Sequence, residues 1–341
     1  MNVSYLFSFA TVVILILLTW IGVDALGLTP FFGIVVPYAA VLLFIYGVVR
    51  KVMSWANSAV PFRIPTTCGQ QKSLPWIKQN KIDNPDTTLG VLIRMFFEIF
   101  LFRSLFRNTK AKFKDNYRLS YRWEIVLWVT ALAFHYAFAV VLLRHMRFFF
   151  EPVPWVIQLL ENADSFFRFE FFSPVFAIGL PGVYVSGVVL LAAVLVLLGR
   201  RVFLAQIRYI SLASDYFPLF LIIGIAATGI LMRYFAKVDI LSIKAFVMGL
   251  ASFSPKIPEG VGTLFYVHLL LVSALVAYFP FSKLMHAGGI FLSPTRNMAN
   301  TTRAKRHVNP WNYSVPTHTY EEYEEEFHDK MQEVGLPLEK E

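Results

Sequence analysis

The sequence predicts an all-α, polytopic membrane protein of six transmembrane helices, and three observations predict it. Of the 341 residues, 57% are hydrophobic and 16% are charged, with a mean hydropathy of +0.57; a water-soluble chain carries about 25% charged residues. Apolar stretches of about 20 residues, the length that crosses a hydrocarbon core of about 30 Å, recur along the chain. The Lys and Arg excess, a formal charge of +9, is concentrated in loops that alternate to one side of those stretches. Membrane topology explains that bias. No nucleic-acid-binding motif accompanies it, so no nucleic-acid partner is expected.

The elements follow in order. Helix 1 spans about Tyr5–Val23 and helix 2 about Phe31–Met53, which together make a transmembrane hairpin over 1–53. Helix 1 starts almost at Met1, without a basic n-region or an Ala-x-Ala site, and reads as a retained helix. The stretch Arg50–Arg122 is dense in bases and is therefore assigned to the cytoplasm. Within the 54–122 loop, Thr88–Arg107 is apolar except for Arg94, Glu98, Arg103 and Arg107. Their spacing draws one charged stripe on a helix, which predicts an interfacial helix lying on the membrane surface.

Helix 3 then covers about Trp123–Arg144, helix 4 about Ala177–Leu198, helix 5 about Tyr216–Phe235 and helix 6 about Val261–Met285. The outer loops are His145–Pro174, rich in interface aromatics, and Ala236–Gly260, whose AFVMGLASFSP suggests a further short interfacial helix. Residues 123–286 form a four-helix unit. Residues 287–341 form a cytoplasmic tail, first basic and then acidic at Glu321–Glu326, with too few apolar residues for a core. The chain is thus expected in the cytoplasmic (inner) membrane with both termini cytoplasmic and lipid around its spans.

Four of the seven histidines lie in or at the ends of helices 3 and 6: His135 and His145, His268 and His286. An imidazole in a bilayer span is costly and marks function by default. His135 and His145 are about 80° and 15 Å apart on a helix, and His268 and His286 lie on one line about 27 Å apart. Antiparallel packing brings His135 to His286 and His145 to His268, provided tilt and ring reach absorb the unequal rises. Two imidazoles converging from facing helices make a bis-histidine haem site, so the spans predict a four-helix bundle with two haems, the His135–His286 site on the cytoplasmic side and the His145–His268 site on the outer side. Cys68 is the single cysteine, and no Cys-x-x-Cys-His is present, so the haems are expected to be b-type. His307, His318 and His328 fall in the polar tail and read as solvated.

The spacings of ten and eighteen on the first and last helices of a four-helix unit resemble the gamma (cytochrome b) subunit of respiratory nitrate reductases, a family that binds two b-type haems and oxidises quinol. PFRIPTTCGQQKS (61–73), the following LPWIK and the later LFRSLFRN resemble a narrower group, the membrane cytochrome b (M) subunit of the sulfite reduction-associated Dsr complex. That group is similar to the cytochrome b subunits of heterodisulfide reductases. The resemblance implies two haem b cofactors and menaquinone as the lipid-soluble redox partner. It also implies a cytoplasmic iron–sulfur subunit of the heterodisulfide reductase type, in a respiratory complex with other membrane and outer-face subunits. The extra N-terminal hairpin and the long loop depart from the nitrate reductase pattern.

Arg144 and Arg147 adjoin His145 and are candidates for haem propionates, though snorkelling interface residues look the same in sequence. Arg168 and Glu170 in the outer loop are candidates for a quinone headgroup, or a solvated pair. Two other functions fit a chain of this kind: a haem-free membrane anchor for an enzyme complex, and a transporter with the histidines as a proton relay.

Overall fold

The computed structural model describes residues 3–58, 69–114, 118–165, 183–306, 308 and 314–339. In chain order the elements are α1 (Ser4–Ala25), α2 (Phe31–Ala56), α3 (Thr88–Leu101), α4 (Arg103–Phe106), the strands β1 (Thr109–Lys114) and β2 (Arg118–Trp123), α5 (Ile125–Phe148) and α6 (Trp155–Asp164). Then follow α7 (Val185–Phe203), α8 (Ala205–Ile210), α9 (Ala213–Ala236), α10 (Ile240–Ala251), α11 (Thr263–Phe281), α12 (His286–Leu292) and α13 (Tyr320–Glu333). Helices α1, α2, α5, α7, α9 and α11 are each long and apolar enough to cross a membrane. The fold is helical, with one addition to the sequence expectation. The end of the loop before α5 is a two-stranded antiparallel hairpin, with Thr109 opposite Trp123 and Lys114 opposite Arg118.

The spans pack in a chain: α5 against α7, α7 against α9, and α9 against α11. Helices α1 and α2 close on the same bundle, α1 against both α9 and α11, and α2 against α11. In lipid, apolar side chains gain little by leaving one helix face for another, so association rests on close van der Waals fit between small residues. The buried residues follow that rule: Ala137 and Ala226 sit at the α5–α7–α9 seams with Leu190, Val194 and Ile222. Val12 of α1 packs with Leu221, Val267 and Leu271. Outward faces carry large apolar side chains such as Leu42 (68% exposed) and Val126 (72%), which suits hydrocarbon.

Two prolines shape the bundle. Pro218 in α9 lacks the N–H that the Ser214 carbonyl would otherwise bond; the Tyr278 hydroxyl donates to that carbonyl instead, at 3.3 Å. Pro280 ends the regular part of α11. The sequence expectation of one helix through Met285 is corrected here: the helix stops at Phe281, Ser282 is extended (φ −118°), and its side chain accepts from the Leu284 N–H to start a new turn that leads into α12. Helix α2 crosses this break at Gly47, where a Cβ would lie 2.6 Å from the Pro280 ring. The fourth span is described from Val185 rather than Ala177, residues 166–182 lying outside the described part.

The connection after α2 and the segment after α12 fold together outside the bundle. Arg94, 1% exposed, donates to the carbonyls of Asp83 (3.3 Å), Arg296 (2.5 Å) and Met298 (2.8 Å). Asn300 bonds Pro85 through its backbone and Asn84 through its side chain at 2.6 Å. Glu98 receives Arg296 at 3.1 Å and the Ser104 hydroxyl. Asp83 receives Arg103 at 3.0 Å, and also Arg107 and Asn80. The charged stripe of α3 therefore faces this folded module, while Leu89, Leu92 and Phe96 are exposed on its other side. The beginning of the tail, whose composition predicts either disorder or ordering on a partner, is ordered on the chain's own loop. Further on, α13 is capped by Thr319 and Glu322 reciprocally, and it buries Glu324 and Met331.

Gly47→Leu is expected to force α2 off the Pro280 turn, at about 1–3 kcal/mol for an overpacked contact, seen as a lower thermal transition in detergent. The module is also expected to loosen in acid. Burial opposes the Asp83 carboxylate, but the hydrogen bonds of Arg103 and Asn80 and the charges of Arg103 and Arg107 outweigh it and hold its pKa below 3.8. A carboxyl depressed by folding contributes stability above its unfolded value, and that stability is lost as pH falls through the folded value. Fluorescence of Trp76, exposed on the module, is expected to report an opening below pH 3.8 that is absent in Asp83→Asn.

Candidate functional site

The four span histidines meet as two pairs. The rings of His135 and His286 have centroids 6.0 Å apart and cross at 80°, and those of His145 and His268 lie 6.4 Å apart and nearly parallel at 15°. Helix α5 carries one member of each pair. His268 lies on α11, whereas His286 opens α12 beyond the Pro280 break. That break relieves the conflict between unequal rises, because His268 and His286 do not share one straight helix. Helices α5 and α11 make no close backbone packing comparable to the other neighbouring spans. The rings of His135, His145 and His286 are exposed in the isolated chain, and His268 is half-buried.

Each ring is oriented through Nδ1. His135 meets the Ala131 carbonyl at 2.7 Å, His145 the Val141 carbonyl at 2.6 Å, and His286 the Lys283 carbonyl at 2.8 Å. A carbonyl only accepts, so Nδ1 carries the proton and Nε2 keeps its lone pair. His268 Nδ1 meets Thr228 Oγ1 at 2.8 Å, and the Thr228 hydroxyl also lies 2.7 Å from the Gly224 carbonyl. The hydroxyl proton goes to that carbonyl, so Thr228 accepts from His268 as well. All four Nε2 atoms are thereby basic donors, the arrangement in which metal-bound imidazoles are held by an outer hydrogen bond.

The Lys283 turn that orients His286 is itself fixed. Lys283 Nζ pairs with Asp215 at 2.6 Å, and Asp215 also receives the Leu212 N–H at 3.0 Å to cap α9. Around His135, the rings of Phe102 and Phe134 stand edge-on, at 4.9 and 5.1 Å. Phe148 lies 5.9 Å from His145.

Two donors per pair suit an iron whose other positions are filled by a macrocycle. A bare cation needs three or four protein ligands, and no cluster of three or more His, Cys, Asp or Glu exists among the described residues. Two collinear metal–imidazole bonds of about 2.0–2.1 Å put the ring centres about 6 Å apart once the ring radii are added, and both pairs match. The residues present fit a haem at each pair.

The remaining candidates are placed differently. Arg144 is buried in an ion pair with Asp164 at 3.1 Å and stacks 3.7 Å from the centre of the Tyr184 ring. Arg147 pairs with Glu161 at 2.6 Å. Both guanidiniums hold α6 against the C-terminal end of α5, and Asp164 in turn receives the Ser186 N–H at the start of α7. Arg233 flanks the other face of Tyr184 at 3.9 Å. Arg168, Glu170, Cys68 and His307 lie outside the described residues. His318 and His328 sit 3.9 Å from Glu326 and Glu324, away from the bundle pairs. Sequence reasoning missed Phe102, Thr228, Asp215 and Lys283. Only Lys283 carried a local signal, as a polar residue three before His286.

Residues 93–304 match the nitrate reductase gamma subunit family. The chain is 46% identical over 287 residues to the Hdr-like menaquinol oxidoreductase cytochrome b-like subunit of Archaeoglobus fulgidus, covering 82% of this chain and 83% of the relative. It is 40% identical over 282 residues to the protein of the same description from Archaeoglobus profundus, covering 81% of each. Family, relatives and six apolar spans agree: the chain belongs to the nitrate reductase gamma subunit family, among its Hdr-like menaquinol oxidoreductase cytochrome b-like subunits.

Proposed function

We propose that this chain is the di-haem b membrane subunit of a respiratory complex, which carries electrons from menaquinol to a cytoplasmic iron–sulfur subunit of the heterodisulfide reductase type. The observation that carries the reading is the pair of imidazole pairs, each ring with its Nδ1 engaged and its centroid 6.0 or 6.4 Å from its partner's. His135 and His286 would hold the haem on the cytoplasmic side, and His145 and His268 that on the outer side. Haem b bound at each pair would supply one-electron iron chemistry. The protein's part is to fix four imidazoles, exclude water and hold two centres at two depths of the bilayer. Arg144 and Arg147 already face carboxylates, so their part is to secure the outer end of α5, and a propionate contact would be shared with those pairs.

Orientation follows from charge. The module built from 69–86, α3 and 293–302 lies at the base-rich end of the bundle, which supports a cytoplasmic side for it and both termini. The resemblance of PFRIPTTCGQQKS and LFRSLFRN supports the finer assignment to a Dsr complex in dissimilatory sulfur metabolism. An electron leaving the His135–His286 centre has no acceptor in a chain with one thiol, so the partner docks at this end. Its dock is the module together with α13, whose exposed Tyr320 and Tyr323 offer aromatic contacts.

Pyridine haemochrome analysis is expected to give two haems b per chain. His135→Ala and His286→Ala are each expected to lose one and the same haem, and His145→Ala and His268→Ala the other; a chain without haem absorption would be a membrane anchor instead. Thr228→Val is expected to weaken retention of the outer haem about 10–100-fold, the usual cost of a lost outer hydrogen bond. Reporter fusions at residue 80 are expected inside and at residue 155 outside. Truncation after residue 308 spares the module and is expected to leave haem content intact while partner co-purification falls.

A further inference from the structure

We propose that Phe102 is the positioning residue for the cytoplasmic-side centre: it holds the His135 ring crossed with His286 and ties that orientation to the Asp83 ion cluster of the extramembrane module. The inference rests on the reading of the histidine pairs as haem ligands.

Phe102 stands between α3 and α4 with φ +48° and ψ +45°, a left-handed conformation that glycine adopts freely and phenylalanine does not. Its N–H bonds the Phe97 carbonyl and closes α3. The carbonyls left open at that helix end go to α5: Tyr136 donates to Phe100 at 2.9 Å and Trp128 to Leu101 at 2.8 Å. An unfavourable backbone conformation persists where its surroundings over-determine it, and such positions cluster at functional sites. Here the retained side chain is an aromatic ring placed edge-on to His135 at 4.9 Å and 89°. Phe134 stands on His135 in the same way, at 5.1 Å and 87°. Two edge contacts leave the imidazole little rotation about the axis that its Ala131 bond defines. His286 is held independently, through Lys283 and Asp215. The crossing angle of 80° is thus set by groups on both sides.

The next residue links this site to the module. Arg103 donates to Asp83 at 3.0 Å, and Arg107 pairs with the same carboxylate. The Asp83 carbonyl receives Arg94, which also grips the carbonyls of Arg296 and Met298. Any movement of the module against the bundle therefore pulls on α4 and on the Phe102 ring.

Ring crossing has an electronic readout. In low-spin ferric haem with two imidazole ligands, crossed planes leave two iron d orbitals nearly degenerate and give a single feature at large g. Near-parallel planes split those orbitals and give a rhombic spectrum. The two centres are thus expected to differ: a large-g signal from His135–His286 and a rhombic signal from His145–His268.

The test is electron paramagnetic resonance on the full chain, with haem counted by pyridine haemochrome. Phe102→Gly keeps the left-handed backbone and removes the ring; it is expected to retain two haems and to move the large-g feature toward the rhombic position, with the other signal unchanged. Phe102→Tyr is expected to restore the wild-type signal. Asp83→Asn, remote from both rings, is expected to shift the same signal in the same direction. An unshifted large-g feature in Phe102→Gly, or equal changes in both signals, overturns the proposal. Should Phe102→Gly fail to accumulate, an unshifted spectrum in Asp83→Asn overturns the link to the module. Fewer than two haems in the wild-type chain would instead refute the histidine-pair reading itself.

Discussion

An imidazole inside hydrocarbon must have both nitrogens engaged, and this constraint organises the molecule. Each of the four span histidines satisfies one nitrogen on its own element or on a neighbour and stands with its ring centroid 6.0 or 6.4 Å from that of a second imidazole. Three use carbonyls of the preceding turn, which a helix supplies without further design. The fourth, His268, turns to Thr228 on α9. That exception explains why α9 packs closely against α11 while α5 does not. The α9 helix provides the hydrogen bond, and α5 provides the facing imidazoles across a wider separation. The bundle is consequently asymmetric, tight along α7, α9, α11, α1 and α2, and open along the line where the four rings meet.

Much of this was legible in the residues. Six spans and their order follow from hydropathy alone, because a membrane helix must satisfy its backbone internally and so declares itself by length. The pairing His135 with His286 and His145 with His268 followed from antiparallel packing. What was not legible was how a rise of about 15 Å could face one of about 27 Å. The answer lies in Pro280, visible in the sequence as a proline near a helix end. Whether such a proline kinks a helix or ends it depends on what lies beside it. Here Gly47 admits the ring and Asp215 captures Lys283 just beyond, so the chain turns. Arg168 and Glu170 fall outside the described residues, and nothing about them is added by the fold.

The expected single striped helix over Thr88–Arg107 is corrected by the fold: Arg94 and Glu98 share α3, but the chain breaks at Phe102, and Arg103 and Arg107 lie beyond it. The direction the stripe points could not be read from period alone. Arg94 and Glu98 fit a solvated face and a buried network equally well in sequence. The decision comes from segments about 200 residues away: the carbonyls of Arg296 and Met298 need donors, and Arg94 supplies them. The same long-range pairing orders the start of the tail, whose composition by itself cannot build an apolar core. Its core is polar, made of Asn84, Asn300, Arg94 and Asp83 bonded to one another and to backbone. The network joins two distant parts of the chain through directional hydrogen bonds, although Arg94 Nε and Asn300 Oδ1 are buried in it without a partner among the described residues.

The placement of that module has a functional consequence. It stands directly over the end of the bundle where His286 emerges, because the segment that supplies Arg296, Met298 and Asn300 leaves α12 within a few residues of that histidine. The module is thereby near the His135–His286 pair without any long linker. The His145–His268 pair has a different neighbourhood, in which Arg144 and Arg147 are matched by Asp164 and Glu161 and α6 is pinned to α5. One end of the bundle is thus closed by short-range ion pairs within the membrane-facing hairpin. The other is closed by a folded polar domain assembled from two distant parts of the chain. The second kind of closure is the one that can transmit a load from outside the bilayer to a histidine ring, and Phe102 is where it arrives.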